Sequence, residues 1–223
     1  MKKLIILLAA GLISASLFAQ PEKGRVLIGG NFGFSVESGE SLFTPSAGTT
    51  DTIDNPTQTN FETNILGGYF VTNRIAPVLN IMIGTSVVND ESNDIKTTGR
   101  TFGLGIGARY YQPVAGTLFF TGSLGFGFSK TTQESKTGST TTEGPTTNTT
   151  GINVSPGLSF FPSPSVAFEL SIGNLGYTRE ISEIESPAGN KTKTTVGTFD
   201  FGVDLTSLNI GVIFLFGGSP ATP

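Results

Sequence analysis

Residues 117–129 read TLFFTGSLGFGFS, with Leu118, Phe120, Leu124, Phe126 and Phe128 at even positions and Thr117, Thr121, Ser123, Gly125, Gly127 and Ser129 at odd ones. A period of two is the signature of a β-strand, because successive side chains leave opposite faces of the pleat. One face here is large and apolar. The other is small or polar throughout, which is an unusual surface for a strand to show to bulk water.

The same alternation recurs in both directions. Upstream it covers residues 25–36, 61–72, 79–87 and 101–110, and downstream residues 151–160, 166–173 and 199–216. In the first of these Val26, Ile28, Phe32, Phe34 and Val36 oppose Arg25, Gly29, Asn31, Gly33 and Ser35, and Leu27 is the exception. In the fourth, Phe102, Leu104, Ile106, Ala108 and Tyr110 oppose Thr101, Gly103, Gly105, Gly107 and Arg109. The last segment moves its apolar set from odd positions (Phe199 to Leu205) to even ones (Leu208 to Phe216), so a bulge is expected near Thr206 and Ser207. Beyond the first residues, helical periodicity is absent.

The eight segments have apolar cores of about 9 to 11 residues, the length of a tilted strand crossing a bilayer. Connections after the second, fourth and sixth are short, at residues 73–77, 112–116 and 162–165. Those after the first, third, fifth and seventh are longer, at residues 37–59, 89–98, 130–149 and 179–196. Strict alternation of short and long connections predicts an up-and-down meander of eight antiparallel strands with all long loops at one end. A transmembrane sheet must close, because lipid offers no hydrogen-bond partner to a free edge. A soluble β-sandwich or lipocalin-like barrel also alternates, but would leave the glycine-rich face as its exposed surface.

The N-terminus supports export. Lys2 and Lys3, the apolar run from Leu4 to Ile13 and the small-residue exit at Ala19 form a cleavable signal peptide over residues 1–19. A transmembrane helix is disfavoured because the run is short. The barrel is then expected over residues 20–216, with a short tail at 217–223 and both termini in the periplasm of an outer-membrane protein. No cysteine occurs, so lipid anchoring at a cysteine and disulfides are excluded.

The chain holds 13 basic and 17 acidic residues, and loss of Lys2 and Lys3 leaves 11 basic ones. No basic footprint for nucleic acid exists. With neither histidine nor cysteine in the chain, the usual general bases, thiol nucleophiles and zinc sites are missing. Only carboxylates remain for acid–base work, namely Glu62, Glu169, Asp200 and Asp204, and no catalytic, metal or cofactor site is expected.

An eight-stranded barrel is just wide enough for side chains to fill, so an open pore is not expected. The alternation points Arg25, Glu62, Arg109, Glu169, Asp200 and Asp204 inward. Arg109 lies four residues before one short turn and Glu169 four after another, at similar depth, which predicts a buried ion pair acting as a plug, with a polar conduit or gate as the alternative. Gly103, Gly105, Gly107, Gly125 and Gly127 form a smooth inner patch, expected to receive Phe70, Phe119, Phe161 or Tyr111, with a ligand cavity as the alternative. Arg100 and Arg179 near the outer rim are placed to contact lipid phosphate or to snorkel. Residues 129–150, with 13 Ser or Thr of 22, cannot bury a core and are expected to be strand extensions beyond the membrane with a mobile tip, either simply solvated and variable or pairing by an edge with a surface partner.

Residues 102–128 (FGLGIGARYYQPVAGTLFFTGSLGFGF), 156–177 (PGLSFFPSPSVAFELSIGNLGY) and 205–216 (LTSLNIGVIFLF) resemble the OmpA/OmpX-type outer-membrane β-barrel family. The resemblance spans the mature chain and is one of pattern rather than of a sharp motif. It implies that the terminal strand is recognised by the barrel-assembly machinery, with Leu208, Ile210, Val212, Phe214 and Phe216 as the signal; the tail beyond Phe216 departs from members that end at the aromatic. A non-enzymatic monomer follows, in contact with outer-membrane lipid and lipopolysaccharide. Its expected role is structural or adhesin-like through the loops, or alternatively small-solute or lipophilic-ligand transport.

Overall fold

The computed structural model describes residues 21–43, 51–186, 189–202 and 209–217. The expected signal peptide, Asp204, Leu208 and the bulge expected near Thr206 and Ser207 lie outside them. The strands are β1 (Val26–Glu37), β2 (Glu40–Phe43), β3 (Asp51–Asp54), β4 (Thr57–Tyr69), β5 (Ile75–Asp90), β6 (Ile95–Ala115), β7 (Leu118–Thr137), β8 (Thr140–Ser163), β9 (Val166–Ser171), β10 (Asn174–Glu185), β11 (Lys191–Gly202) and β12 (Asn209–Phe216). Among the described residues no helix is long and apolar enough to cross a membrane.

Eight antiparallel strands form a closed barrel. β1, β4, β5, β6, β7 and β8 pair in turn, the seventh strand crosses as β9 and β10, the eighth as β11 and β12, and β12 returns to β1. Closure runs from Val26 opposite Phe216 to Gly30 opposite Val212. The eighth strand pairs in two registers, with Asn174 opposite Gly202 but Ser171 opposite Asn209. β2 and β3 make a separate hairpin in the first loop.

The long connections are mostly strand. β7 and β8 remain paired to Thr137 opposite Thr140, leaving Gly138 at φ +58° and Ser139 as the tip. Threonine is suited to this, since β-branched side chains fit the pleat and Thr pairs stabilise neighbouring strands. A 3-10 turn over Glu91–Asn93 joins β5 to β6, with Asp90 capping Asn93. The β10–β11 hairpin carries Glu183–Lys193 and Glu185–Lys191 ion pairs at 2.9 and 3.1 Å. The hydrogen-bonded Lys193 ammonium holds the Glu183 carboxyl below its ordinary range.

Following the register once around the barrel shifts it by roughly ten residues for eight strands, so a line of constant height falls by about 1.25 residues per strand from β4 onward. Tyr69, Tyr110, Phe120, Phe168 and Phe214 lie on one such line, within about one residue, near the short turns. Phe61, Phe102, Phe128 and Tyr177 lie on a second, nearer the loops. All nine point outward and are exposed. These are the two aromatic girdles of a transmembrane barrel, with outward aliphatic side chains between them.

Among the described residues, the buried core inside occupies the end bearing the short turns. Leu27, Leu66, Phe70, Ala76, Tyr111, Phe119, Phe161, Ala167, Ile213 and Leu215 are buried there as one cluster. Leu27, which breaks the alternation of the first segment, is a fully buried member of this plug. Three ring contacts knit it together: Phe70 to Tyr111 at 5.4 Å, Tyr111 to Phe161 at 6.3 Å and Phe119 to Phe161 at 5.0 Å between centroids.

Candidate functional site: a lumen plugged at one end

The lumen has a floor and a cup. Directly above the aromatic plug, Arg109 of β6 reaches across to Glu169 of β9, with its Nη1 donating to Oε2 in an ion pair. The two side chains are 20% and 13% exposed, so water screens them only partly. The other carboxylate oxygen, Oε1, accepts from the Tyr111 hydroxyl at 2.9 Å and from Ser159 Oγ at 3.0 Å. Each partner is positioned by the ladder: Ser159 stands opposite Glu169 in the β8–β9 pairing, and Tyr111 follows Arg109 by two residues on the same face. Both Glu169 oxygens are therefore engaged by donors.

Among the described residues, the five inward charges do not converge. Arg109 and Glu169 meet. Arg25 sits at the edge of the plug, where Nη2 donates to the Leu215 carbonyl at 3.3 Å and Nε is buried without a partner among the described residues. Glu62 accepts from Asn64 Nδ2 at 2.8 Å and is exposed on the loop side, as is Asp200. Tyr111 and Ser159 were not assigned to the ion pair from sequence. Only the cross-strand register places them there.

Above the pair lies a cavity of about 520 Å³ that runs from Arg109 to Ser129, Thr149 and Thr178. A smaller one of about 240 Å³ adjoins Arg109 and Glu169 and is lined by Asn31, Asn64 and Asn153 among others. The glycine patch forms one wall of the larger cavity. The expectation that Phe70, Phe119, Phe161 or Tyr111 fills this patch is not met, because all four pack on one another in the plug below it. The plug needs them at the height of the short turns, and strand tilt carries the glycines of β6 and β7 well above that height. The patch is also wider than the sequence suggested. Gly105, Gly127 and Gly151 stand side by side on β6, β7 and β8, and Gly176 of β10 adjoins the next row.

Some of these glycines are required by close backbone approach. A Cβ on Gly107 would stand 2.3 Å from the Leu124 carbonyl oxygen of the neighbouring strand, whereas one on Gly127 would stand 3.7 Å from the Leu104 oxygen. Gly107→Ala is expected to cost about 1–3 kcal/mol of overpacking strain, and Gly127→Ala less than about 0.5 kcal/mol. Urea titration of both variants in detergent micelles measures the contrast, and equal stability would refute it.

Among the described residues no group of three or more His, Cys, Asp or Glu side chains is placed to hold a metal ion. What the arrangement offers is a polar cup over a neutralised ion pair and a dry apolar floor.

Searching curated protein sequences gives no significant match. Solved structures are similar in fold. OprG of Pseudomonas aeruginosa is 15% identical, with 90% of this chain and 100% of that chain covered at a TM-score of 0.51. A major outer membrane protein of Thermus thermophilus is 11% identical, with 86% and 98% covered at a TM-score of 0.46. Ail, the attachment invasion locus protein of Yersinia pestis, is 16% identical, with 87% and 99% covered at a TM-score of 0.39. The model of the outer membrane protein beta-barrel domain matches residues 5–212, nearly the whole chain. With its girdled eight-stranded barrel, the chain thus belongs to the outer membrane protein beta-barrel domain family and is a protein of the bacterial outer membrane.

Proposed function

We propose that this barrel is a non-enzymatic structural and surface-interaction protein that displays its Ser/Thr-rich strand extensions outside the cell. The carrying observation is the plug: Phe70, Tyr111, Phe119 and Phe161 are each at most 2% exposed, and with the Arg109–Glu169 pair they close the lumen at one end. A closed lumen conducts nothing, so the loop end is the part available for a task. Short turns and both termini face the periplasm in this reading, as is general for such barrels. Lipid and lipopolysaccharide surround the wall, and the barrel-assembly machinery recognises the terminal strand. On that strand Val212, Phe214 and Phe216 alternate with the buried Ile213 and Leu215. The working unit is a monomer.

Adhesion through the loop end is favoured by the hairpin of β7 and β8, whose paired ladder continues beyond the loop-side girdle up to Thr137 opposite Thr140. The 520 Å³ cavity favours a second reading, a barrel that binds a small ligand in its cup. Planar-bilayer recording of the purified protein, combined with native mass spectrometry, separates them. The structural reading expects no channel events and no retained small molecule. Steady conductance would overturn it, and a stoichiometric ligand released on unfolding would install the second. Orientation has its own test, because the chain has no cysteine. Ser139→Cys is expected to react with a membrane-impermeant maleimide on intact cells.

A further inference from the structure

Among the described charged side chains within about three residues of the loop-side girdle, acids and bases take opposite faces of the wall, and the outward acids Glu134, Glu143, Glu183 and Glu185 lie higher on the strand extensions. Glu37, Glu62, Glu180 and Asp200 fall on the inward side of their strands, while Arg100, Lys130 and Arg179 fall on the outward side. None of the three bases has an ion-pair partner among the described residues, and all three are exposed.

Register sets their heights. On β7 the residue opposite Arg100 is Thr132, so Lys130 lies two residues toward the short turns; on β8 and β10 the residues level with Lys130 by pairing are Asn148 and Ile181, so Arg179 lies two further. That is a fall of four residues over three strands, which matches the tilt of about 1.25 residues per strand given by the barrel's shear. The three bases therefore stand at one height around the wall. From strand spacing and rise, Arg100 and Lys130 are about 8 Å apart and Lys130 and Arg179 about 12 Å apart, with Asn148 facing outward between the latter two. This level lies just beyond the girdle of Phe61, Phe102, Phe128 and Tyr177, and about 25 Å from the girdle at the short turns, the height of an outer-membrane hydrocarbon band.

We infer that Arg100, Lys130 and Arg179 form a docking arc for the phosphate groups of a phosphorylated glycolipid in the leaflet at the loop end. Long basic side chains at the edge of the apolar band meet the depth at which lipid phosphates lie, and two guanidinium groups can each take a phosphate in a bidentate fashion. Asn148 adds a neutral hydrogen-bonding group between them. The nearest outward acid above Arg179 is Glu183, which is already engaged by Lys193 at 2.9 Å. A lipid partner fits better than a free anion, since the arc borders the apolar belt and would hold acyl chains against Phe128 and Tyr177 beneath it. This inference rests on the proposed orientation, which puts the loop end in the outer leaflet.

The test uses the full-length protein in detergent and native mass spectrometry with two probes: a doubly phosphorylated acyl-disaccharide lipid, and the same lipid after phosphatase treatment. Wild-type protein is expected to retain the phosphorylated form in strong preference, with the preference falling as ionic strength rises. Each basic side chain is expected to contribute about fivefold, so Arg100→Gln/Lys130→Gln/Arg179→Gln should lose on the order of a hundredfold. Lys191→Gln, higher on the same wall, leaves the Glu183–Lys193 pair intact and should change little. Equal retention of both lipids by the wild type would overturn the inference whether or not the triple variant folds. So would an unchanged preference in the variant, or saturable binding of inorganic phosphate that displaces the lipid completely and marks a site for the free anion. If Ser139→Cys is labelled only after cells are permeabilised, the orientation fails while the lipid measurement stands on its own.

Discussion

Arg109→Ala is expected to destabilise the barrel by about 3–5 kcal/mol while leaving it non-conducting. Removing the guanidinium strands the Glu169 carboxylate on the surface of a dry plug, where its side chain is only 13% exposed. The Tyr111 and Ser159 hydroxyls still donate to Oε1, but two neutral donors do not replace a full charge. Permeability should not change because Phe70, Phe119 and Phe161 close the lumen below the pair. The informative comparison is the double variant Arg109→Ala/Glu169→Gln. Neutralising the carboxylate should recover a large part of the loss, since the penalty arises from an unpaired charge rather than from a missing contact. Urea midpoints for folded and unfolded protein in micelles supply the cycle. Additive losses at the two positions would mean that the residues are not coupled.

Phe161→Ala is expected to cost a comparable 3–5 kcal/mol, roughly, by a different mechanism. Phe161 is 1% exposed and makes edge contacts with both Tyr111 and Phe119, so truncation opens a cavity at the centre of the plug. Strands fixed by closure on both sides cannot collapse inward to fill it. Phe161→Leu keeps most of the volume and should lose less than half as much. By contrast, an outward girdle residue of the same type, Phe128, packs against lipid or detergent. Phe128→Leu should be close to neutral. Equal effects at positions 161 and 128 would refute the assignment of one face to a core and the other to the solvent of the membrane.

Several elements were legible in the sequence because strand periodicity is local. A period of two assigns faces without knowledge of neighbours, so the outward sets in the described parts of the eight segments could be read from residues 117–129 and their repeats. Short and long connections alternate along the chain, which sets the meander and collects the loops at one end. The depth of Arg109 and Glu169 followed by counting residues from turns, and the structure brings the two together. The Ser/Thr tract of residues 129–150 read as strand extensions, and its strands run to a two-residue tip.

Counting failed where an outcome depends on how strands lie beside one another. Faces assigned strand by strand put six charges in the lumen, but only the stagger between strands shows that Arg25 lies at the plug, Glu62 and Asp200 toward the loops, and a single pair between them. The same stagger separates the glycine patch from the aromatics expected to fill it, adds Gly151 and Gly176 to the patch, and leaves a cavity in its place. It also explains Leu27: an exception to alternation in one strand is a member of a core assembled from all eight. The sequence by itself determined which way each side chain points, because that depends only on a residue and its neighbours in the chain. Beyond positions that can be counted directly from a short turn, tertiary structure decided height, because a tilted, sheared barrel sets residues far apart in number at the same level. Height is what divides this lumen into plug, ion pair and cup.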